Sequence, residues 1–157
     1  MKIKWPELII SIAISLVVGF LAGIFTSGSM GIYNNLTLPP LSPPSIVFPI
    51  VWTILYILMG ISAYLIYVSD ASKESKKNAL TIYAIQLLMN FAWSIIFFNL
   101  NAYLISFVWL VGLWMMIVLM IISFYKINKT AAYLHIPYLI WVTFAGYLNL
   151  SIYLLNK

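Results

Sequence analysis

Three long stretches of this chain carry no charge. Residues 8–69 contain no Asp, Glu, Lys or Arg, and neither do 78–125 or 130–156. Charged residues make up 7% of the chain, against roughly 25% in a soluble domain. With 64% hydrophobic residues and a mean hydropathy of +1.06, lipid must be the solvent for most of the surface. A spanning helix needs about 20 apolar residues. The first block is too long for one span and is broken by Gly, Ser and Pro near 28–45. The second is broken at Asn99-Leu100-Asn101. The pattern predicts one all-α integral membrane domain, a five-helix transmembrane bundle. Its spans lie near 7–27, 46–68, 78–98, 102–125 and 131–155, with a lid loop over 28–45. The first apolar run is too long for a cleaved signal peptide.

Lysines set the orientation. Lys2, Lys4, Lys73, Lys76, Lys77, Lys126 and Lys129 fall on one side of such a bundle, and only Lys157 on the other. Positive side chains concentrate on the cytoplasmic side, so the N-terminus is expected in the cytoplasm and the C-terminus outside. The net charge of +5 therefore reads as topology, and no nucleic-acid partner is expected. The expected location is the bacterial cell membrane, with the lipid bilayer as first partner.

Several chemistries are excluded. The chain has no cysteine, which removes disulfides, Cys-ligated metals and thiol nucleophiles. No carboxylate or lysine lies inside a predicted span, which removes acid–base pairs and the usual proton relays. His135 is the only histidine. A single histidine makes no metal site, so a packing or interfacial role is expected for it. No internal repeat of the transporter kind is visible.

The remaining candidates are aromatic rings, amides and hydroxyls. Pro39, Pro40, Pro43 and Pro44 make a stiff, extended segment ahead of the second span. Phe48, Trp52 and Tyr56 then recur every fourth residue on one helix face. Gln86, Asn90 and Ser94 form a similar stripe on the third span, with Trp93 and Phe97 beside it. On the fifth, Trp141, Ala145, Leu148 and Asn149 share a face. Helical rise puts Trp52 about 9 Å below the outer surface and Asn90 and Trp93 roughly 18–22 Å up from the inner one. Trp109 comes near the level of Trp52, and Trp141 near the midplane. Tryptophan and tyrosine are usually interfacial anchors, which suits Trp5, Tyr67, Tyr103, Tyr133 and Tyr153 better than these deeper residues. Gln86 and Asn149 are expected to hydrogen-bond between helices. Asn90 is open to either role, an interhelical bond or an unpaired amide facing a ligand. A concave aromatic site with few polar groups takes a flat, apolar ligand. Ser15, Gly19, Gly23 and Ser27 form a small-residue stripe on the first span, expected to pack within the bundle rather than to make a dimer seam.

The segments IVFPIVWTILYILMG (46–60), QLLMNFAWSIIFF (86–98) and AAYLHIPYLIWVTFAGYLNLSIYLLN (131–156) resemble the TspO/MBR family of translocator and tryptophan-rich sensory proteins, which includes the peripheral benzodiazepine receptor. The resemblance covers about residues 30–156. It implies five spans, commonly a homodimer, and binding of porphyrins, of sterols in animal members, and of isoquinoline or benzodiazepine drugs. Carried over, the ligand-binding positions are Tyr33, Pro44, Phe48, Trp52, Tyr56, Asn90, Trp93, Ser94, Trp141, Ala145 and Leu148. No cofactor is required; a porphyrin such as protoporphyrin IX is the implied ligand. Three positions depart from the family pattern. Leu38 and Leu41 stand where the loop usually has a basic residue and a Trp, and Trp109 where the fourth span often has an acid. With no lid cation, backbone N–H groups at the start of the second span are the candidates for porphyrin carboxylates. Leu150, Tyr153 and Lys157 match a cholesterol motif that is weak by itself.

Three functions follow as expectations. The first is a receptor or sensor for tetrapyrroles, held between the helices under the lid. The second, implied by the resemblance, is light-dependent porphyrin degradation with Trp52 and Trp141 as radical donors. The third is passive transport, in which Pro137 would kink the fifth span.

Overall fold

In the computed structural model, which describes residues 2–157, five helices are long and apolar enough to cross a membrane: Trp5–Asn35, Val47–Tyr67, Lys73–Asn99, Tyr103–Tyr125 and Lys129–Leu155. Three of them are compound. The first is α1 (Trp5–Thr26), a 3₁₀ turn at Ser27–Ser29 and the short α2 (Met30–Asn35). The second span is α3 (Val47–Tyr67). The third is α4 (Lys73–Ser94), followed by a wide π turn at Ile95–Asn99. The fourth is α5 (Tyr103–Tyr125). The fifth is α6 (Lys129–Tyr133) and α7 (Ile136–Leu155).

The expected lid of 28–45 is only partly a loop. Helix continues to Asn35, because no proline intervenes before Pro39 and Met30–Asn35 can still form intrahelical bonds. Irregular backbone runs only from Leu36 to Ile46, and Leu41 there has φ 69. The third span starts earlier than expected. Ser72 caps it, its Oγ accepting from Ser75 N at 3.1 Å, so the polar Lys73–Lys77 turn is helical.

The fifth span breaks at Leu134 and His135, just ahead of Pro137. His135 N donates to Ala132 O at 3.1 Å instead of to Ala131 O. The freed Ala131 carbonyl accepts from Ser62 Oγ at 2.7 Å, which satisfies a backbone group that apolar surroundings would leave orphaned.

Contacts at the two ends fix the relative topology. Lys4 N donates to Tyr64 Oη at 2.8 Å, putting the N-terminus beside the last turn of α3 at the lysine-rich end. Asn156 exchanges two 2.9 Å bonds with the backbone of Thr37, joining the C-terminus to the proline loop at the opposite end. Tyr147 Oη adds a bond to Pro40 O at 2.8 Å.

The small-residue stripe of α1 does its packing against α3. Ser11 Oγ donates to Gly60 O and Ser15 Oγ to Tyr56 O, both at 2.6 Å. Gly60 lets Ile12 come close enough that a Cβ there would sit 2.5 Å from Ile12 Cα.

Candidate functional site

The face of α3 that carries Phe48, Trp52 and Tyr56 turns into the bundle at the proline-loop end. Trp52 is the hub of the rings that gather there. Its centroid lies 5.8 Å from Tyr56, 6.5 Å from Trp93, 6.1 Å from Tyr138 and 6.4 Å from Trp141. Phe48 continues the cluster, 5.1 Å from Tyr33 and 6.0 Å from Trp141. Most of these contacts are edge-to-face, the arrangement aromatic quadrupoles favour. Trp93 stacks on Phe97 at 5.4 Å across the start of the π turn.

A cavity of about 840 Å³ lies against this cluster, between α1, α3 and the end of α4. Phe48, Trp52, Tyr56, Trp93 and Ser94 line it, as do Leu16, Gly19 and Met30 from the first span. Exposed residues form its rim, among them Phe20, Ile24, Pro49 and Thr53, so it opens on the flank of the bundle. Its few polar groups are mostly hydroxyls, including Ser27, Ser45, Thr53 and Ser94, with the Trp52 indole N–H beside them.

Six of the positions expected to touch a ligand do not line this cavity: Tyr33, Pro44, Asn90, Trp141, Ala145 and Leu148. Tyr33 is buried against Phe48, and its hydroxyl donates to Pro43 O at 3.3 Å. Pro44 is exposed and supplies the carbonyl that accepts from Val47 N. Ala145 and Leu148 are buried on α7. Trp141 meets Phe48 and Trp52 edge to face, with centroids at 6.0 and 6.4 Å. Its buried Nε1 has no partner among the described residues.

Asn90 is not an unpaired amide. Its Nδ2 donates to Tyr138 Oη at 2.9 Å, and its Oδ1 accepts from Tyr56 Oη at 3.4 Å. Gln86 and Asn149 bridge helices as expected. Gln86 Oε1 accepts from Tyr138 Oη at 2.8 Å. Asn149 Oδ1 accepts from Trp93 Nε1 and Ser106 Oγ, both at 3.0 Å, and Asn149 Nδ2 donates to Tyr103 O at 2.7 Å. Trp109 stays outside the ring cluster despite its level, because its Nε1 donates to Met89 O at 2.8 Å on the outer side of α4.

The start of α3 offers fewer backbone donors to an anion than expected: Val47 N and Phe48 N are bonded to Pro44 O and Ser45 O, and Pro49 has no N–H. Most of the cavity residues missed by sequence belong to the first span, and others, such as Ser45, Ile46, Pro49 and Thr53, lie around the start of α3. Gly19 sits under the Tyr56 ring, and Gly23, with no heavy atom within 4 Å of a built Cβ, opens onto the cavity. The four-residue spacing of these glycines was the available signal. The sterol-motif residues lie apart from the cavity, with Leu150 and Tyr153 half-buried on α7 and Lys157 exposed beyond it.

Comparison with known proteins agrees with this architecture. The family model described as TspO/MBR family matches residues 11–155. The tryptophan-rich protein TspO of Chlorobaculum tepidum is 39% identical over 150 residues, covering 95% of each chain. The tryptophan-rich sensory protein of Cereibacter sphaeroides is 35% identical over 124 residues, 79% of this chain and 76% of that one. The translocator protein of Bos taurus is 34% identical over 134 residues, 83% of this chain and 79% of its own. A five-span bundle with a ring cluster at one end, matched along nearly its whole length, makes this chain a member of the TspO/MBR family.

Proposed function

We propose that the protein is a membrane receptor or sensor that binds porphyrin-type tetrapyrroles and other flat, apolar molecules in the cavity between α1, α3 and the end of α4. The observation that carries this reading is the cavity's wall. About 840 Å³ of space is bounded by Phe48, Trp52, Tyr56 and Trp93, within the roughly 300–1,000 Å³ usual for small-molecule sites. Lysine placement adds that the cavity lies in the extracytoplasmic half of a cell membrane, bacterial in this reading, with the N-terminus in the cytoplasm.

The polar lining narrows the ligand. Hydroxyls are present, cations are not, and the first N–H groups of α3 are occupied. Ring planes are therefore recognised more strongly than carboxylates. Titration of the purified protein with protoporphyrin IX, followed by tryptophan quenching, tests the reading. Saturable quenching is expected, weakened in Trp52→Phe, and the dimethyl ester should bind at least as tightly as the free acid. No saturable binding of either form, or a Trp52→Phe variant that binds as wild type, would refute it.

A second reading rests on the contact of Trp52 with Trp141 at 6.4 Å, close enough to share an electron hole. In it, light and dioxygen drive oxidation of bound porphyrin. Illumination in air with product analysis separates the readings: an unchanged porphyrin spectrum leaves reception alone.

A further inference from the structure

The cavity opens sideways, and the depth of the opening says what meets it there. One lip belongs to α1, where Phe20 is 69% exposed and Ile24 52%. The other belongs to the start of α3, with Ile46, Pro49 and Thr53 exposed. Along α3 the lining runs from Ile46 to Tyr56, and along α1 from Leu16 to Ser27. Helical rise makes each of these about 15–16 Å. A hydrocarbon core about 30 Å thick gives each leaflet about 15 Å. The opening therefore spans one leaflet, the one at the proline-loop end, and faces acyl chains over its whole length.

The wall is less polar than its residue types suggest. Thr26 Oγ1 donates to Ala22 O at 2.7 Å and Ser27 Oγ to Ile24 O at 3.0 Å. Thr53 Oγ1 donates to Pro49 O at 2.7 Å and Ser94 Oγ to Asn90 O at 3.4 Å. Each hydroxyl proton is turned back into its own helix. Water in such a space needs two to four polar partners. A run of methylenes needs none, and each carbon gains dispersion contacts with the wall.

Shape agrees with a linear occupant. The α1 side is a single stripe, Leu16, Gly19, Gly23, Ser27 and Met30, running along the helix axis. At Gly19 the Tyr56 ring lies against the α1 backbone and closes the deep end. Nothing lies within 4 Å of a Cβ built at Gly23, so the groove is open to the flank there. At the other end the proline loop is tied down, by Tyr33 Oη to Pro43 O, by Tyr147 Oη to Pro40 O and by Asn156 to Thr37. We propose that this groove binds one acyl chain of a phospholipid from the adjacent leaflet, which enters between α1 and α3 with its methyl end toward Tyr56. A flat ligand then reaches the same cavity from the bilayer, by displacing the chain. The proposal shares the cavity of the proposed function but does not rest on it, because the chain binds whether or not a porphyrin does.

Photolabelling of the full chain tests it. The probe is a phosphatidylcholine with a diazirine near the methyl end of one acyl chain, built into nanodiscs. After irradiation, adducts are mapped by peptide mass spectrometry. Lipid-facing Val108, 64% exposed on α5, is labelled in any case. Adducts are expected as well on Trp52 and on Tyr56, which is only 4% exposed. Gly23→Leu fills the groove at its open point and should lower both several-fold while Val108 keeps its label. Wild type labelled at Val108 but at neither ring would overturn the proposal, as would a folded Gly23→Leu variant whose rings are labelled like those of wild type. Should Gly23→Leu fail to fold, Thr53→Phe on the opposite lip takes its place. No porphyrin is present in the experiment, so failure of the porphyrin reading leaves its result unchanged.

Discussion

Replacing Gly60 by alanine tests the closest helix contact in the bundle. The new Cβ would lie 2.5 Å from Ile12 Cα, 2.9 Å from Ser15 Oγ and 3.0 Å from Ile12 Cγ1. The first of these is backbone, which has no rotamer to change. Carbon atoms settle about 3.5–4.0 Å apart, so α1 and α3 must separate locally by about 1 Å. Overpacking of this kind costs about 1–3 kcal/mol. Separation also stretches the bonds from Ser11 to Gly60 O and from Ser15 to Tyr56 O. Interhelical hydrogen bonds in membranes average about 0.6 kcal/mol, so their weakening adds about 1 kcal/mol. Alanine's better helix propensity returns about 1 kcal/mol. The net destabilisation is about 1–3 kcal/mol, a fall of roughly 3–10 °C in melting temperature for a chain of this size. Gly23→Ala is the control on the same pair of helices, because nothing lies within 4 Å of its Cβ. It should melt at or slightly above wild type. Thermal melts in detergent, followed by tryptophan fluorescence, make the comparison. If Gly60→Ala melts as high as Gly23→Ala, the α1–α3 seam is not held by close approach and the reasoning fails.

Asn149→Leu should lower stability by about 1–3 kcal/mol, because the Trp93 indole N–H is left buried without an acceptor, while Ser106 Oγ keeps Tyr103 O at 2.9 Å. The same melts check it, and a shift of under a degree would show that the indole finds another partner. Asn156→Ala should loosen the Thr37 end of the proline loop while Tyr147 still holds Pro40 O and the five spans stay intact. Hydrogen exchange is the measure: the Thr37 amide, now bonded to Asn156 Oδ1, should lose protection, and unchanged exchange there would mean the loop is held elsewhere.

The architecture was legible because the lipid environment makes charge a strict marker. Charge-free blocks, broken at Gly/Pro and Asn pairs, located all five spans, while two boundaries moved by several residues: the first helix runs on to Asn35, and the Ser72 cap starts the third at Lys73. Periodicity on α3 placed Phe48, Trp52 and Tyr56 on one inward face. Depth put Trp93 at their level. The interhelical roles of Gln86 and Asn149 followed from the cost of leaving an amide unpaired in hydrocarbon. Pro137 announced a break in the fifth span, but the Ser62 hydroxyl that satisfies the freed carbonyl lies on another helix, and no local pattern marks that pairing.

The site was legible to the level of face and depth, and no further, for a physical reason. Face and depth say which side chains meet; they do not say whether those side chains leave space. Trp141, Trp52 and Phe48 meet as expected, yet edge-to-face packing brings the three rings against one another, and the cavity lies on their α1 side, where Trp141 is not part of its wall. Asn90 likewise reaches the expected level but is taken by Tyr56 and Tyr138, whose hydroxyls extend one helix's reach to the next. Space survives beside Gly23 of α1, where no neighbour fills in, whereas Gly19 lets the Tyr56 ring lie against the α1 backbone. A small-residue stripe therefore has two consequences in one helix. Where a partner backbone follows it, as Gly60 follows Ile12 and Ser15, it makes a tight seam. Where the partner helix instead presents aromatic rings and turns aside toward the proline loop, it leaves a cavity.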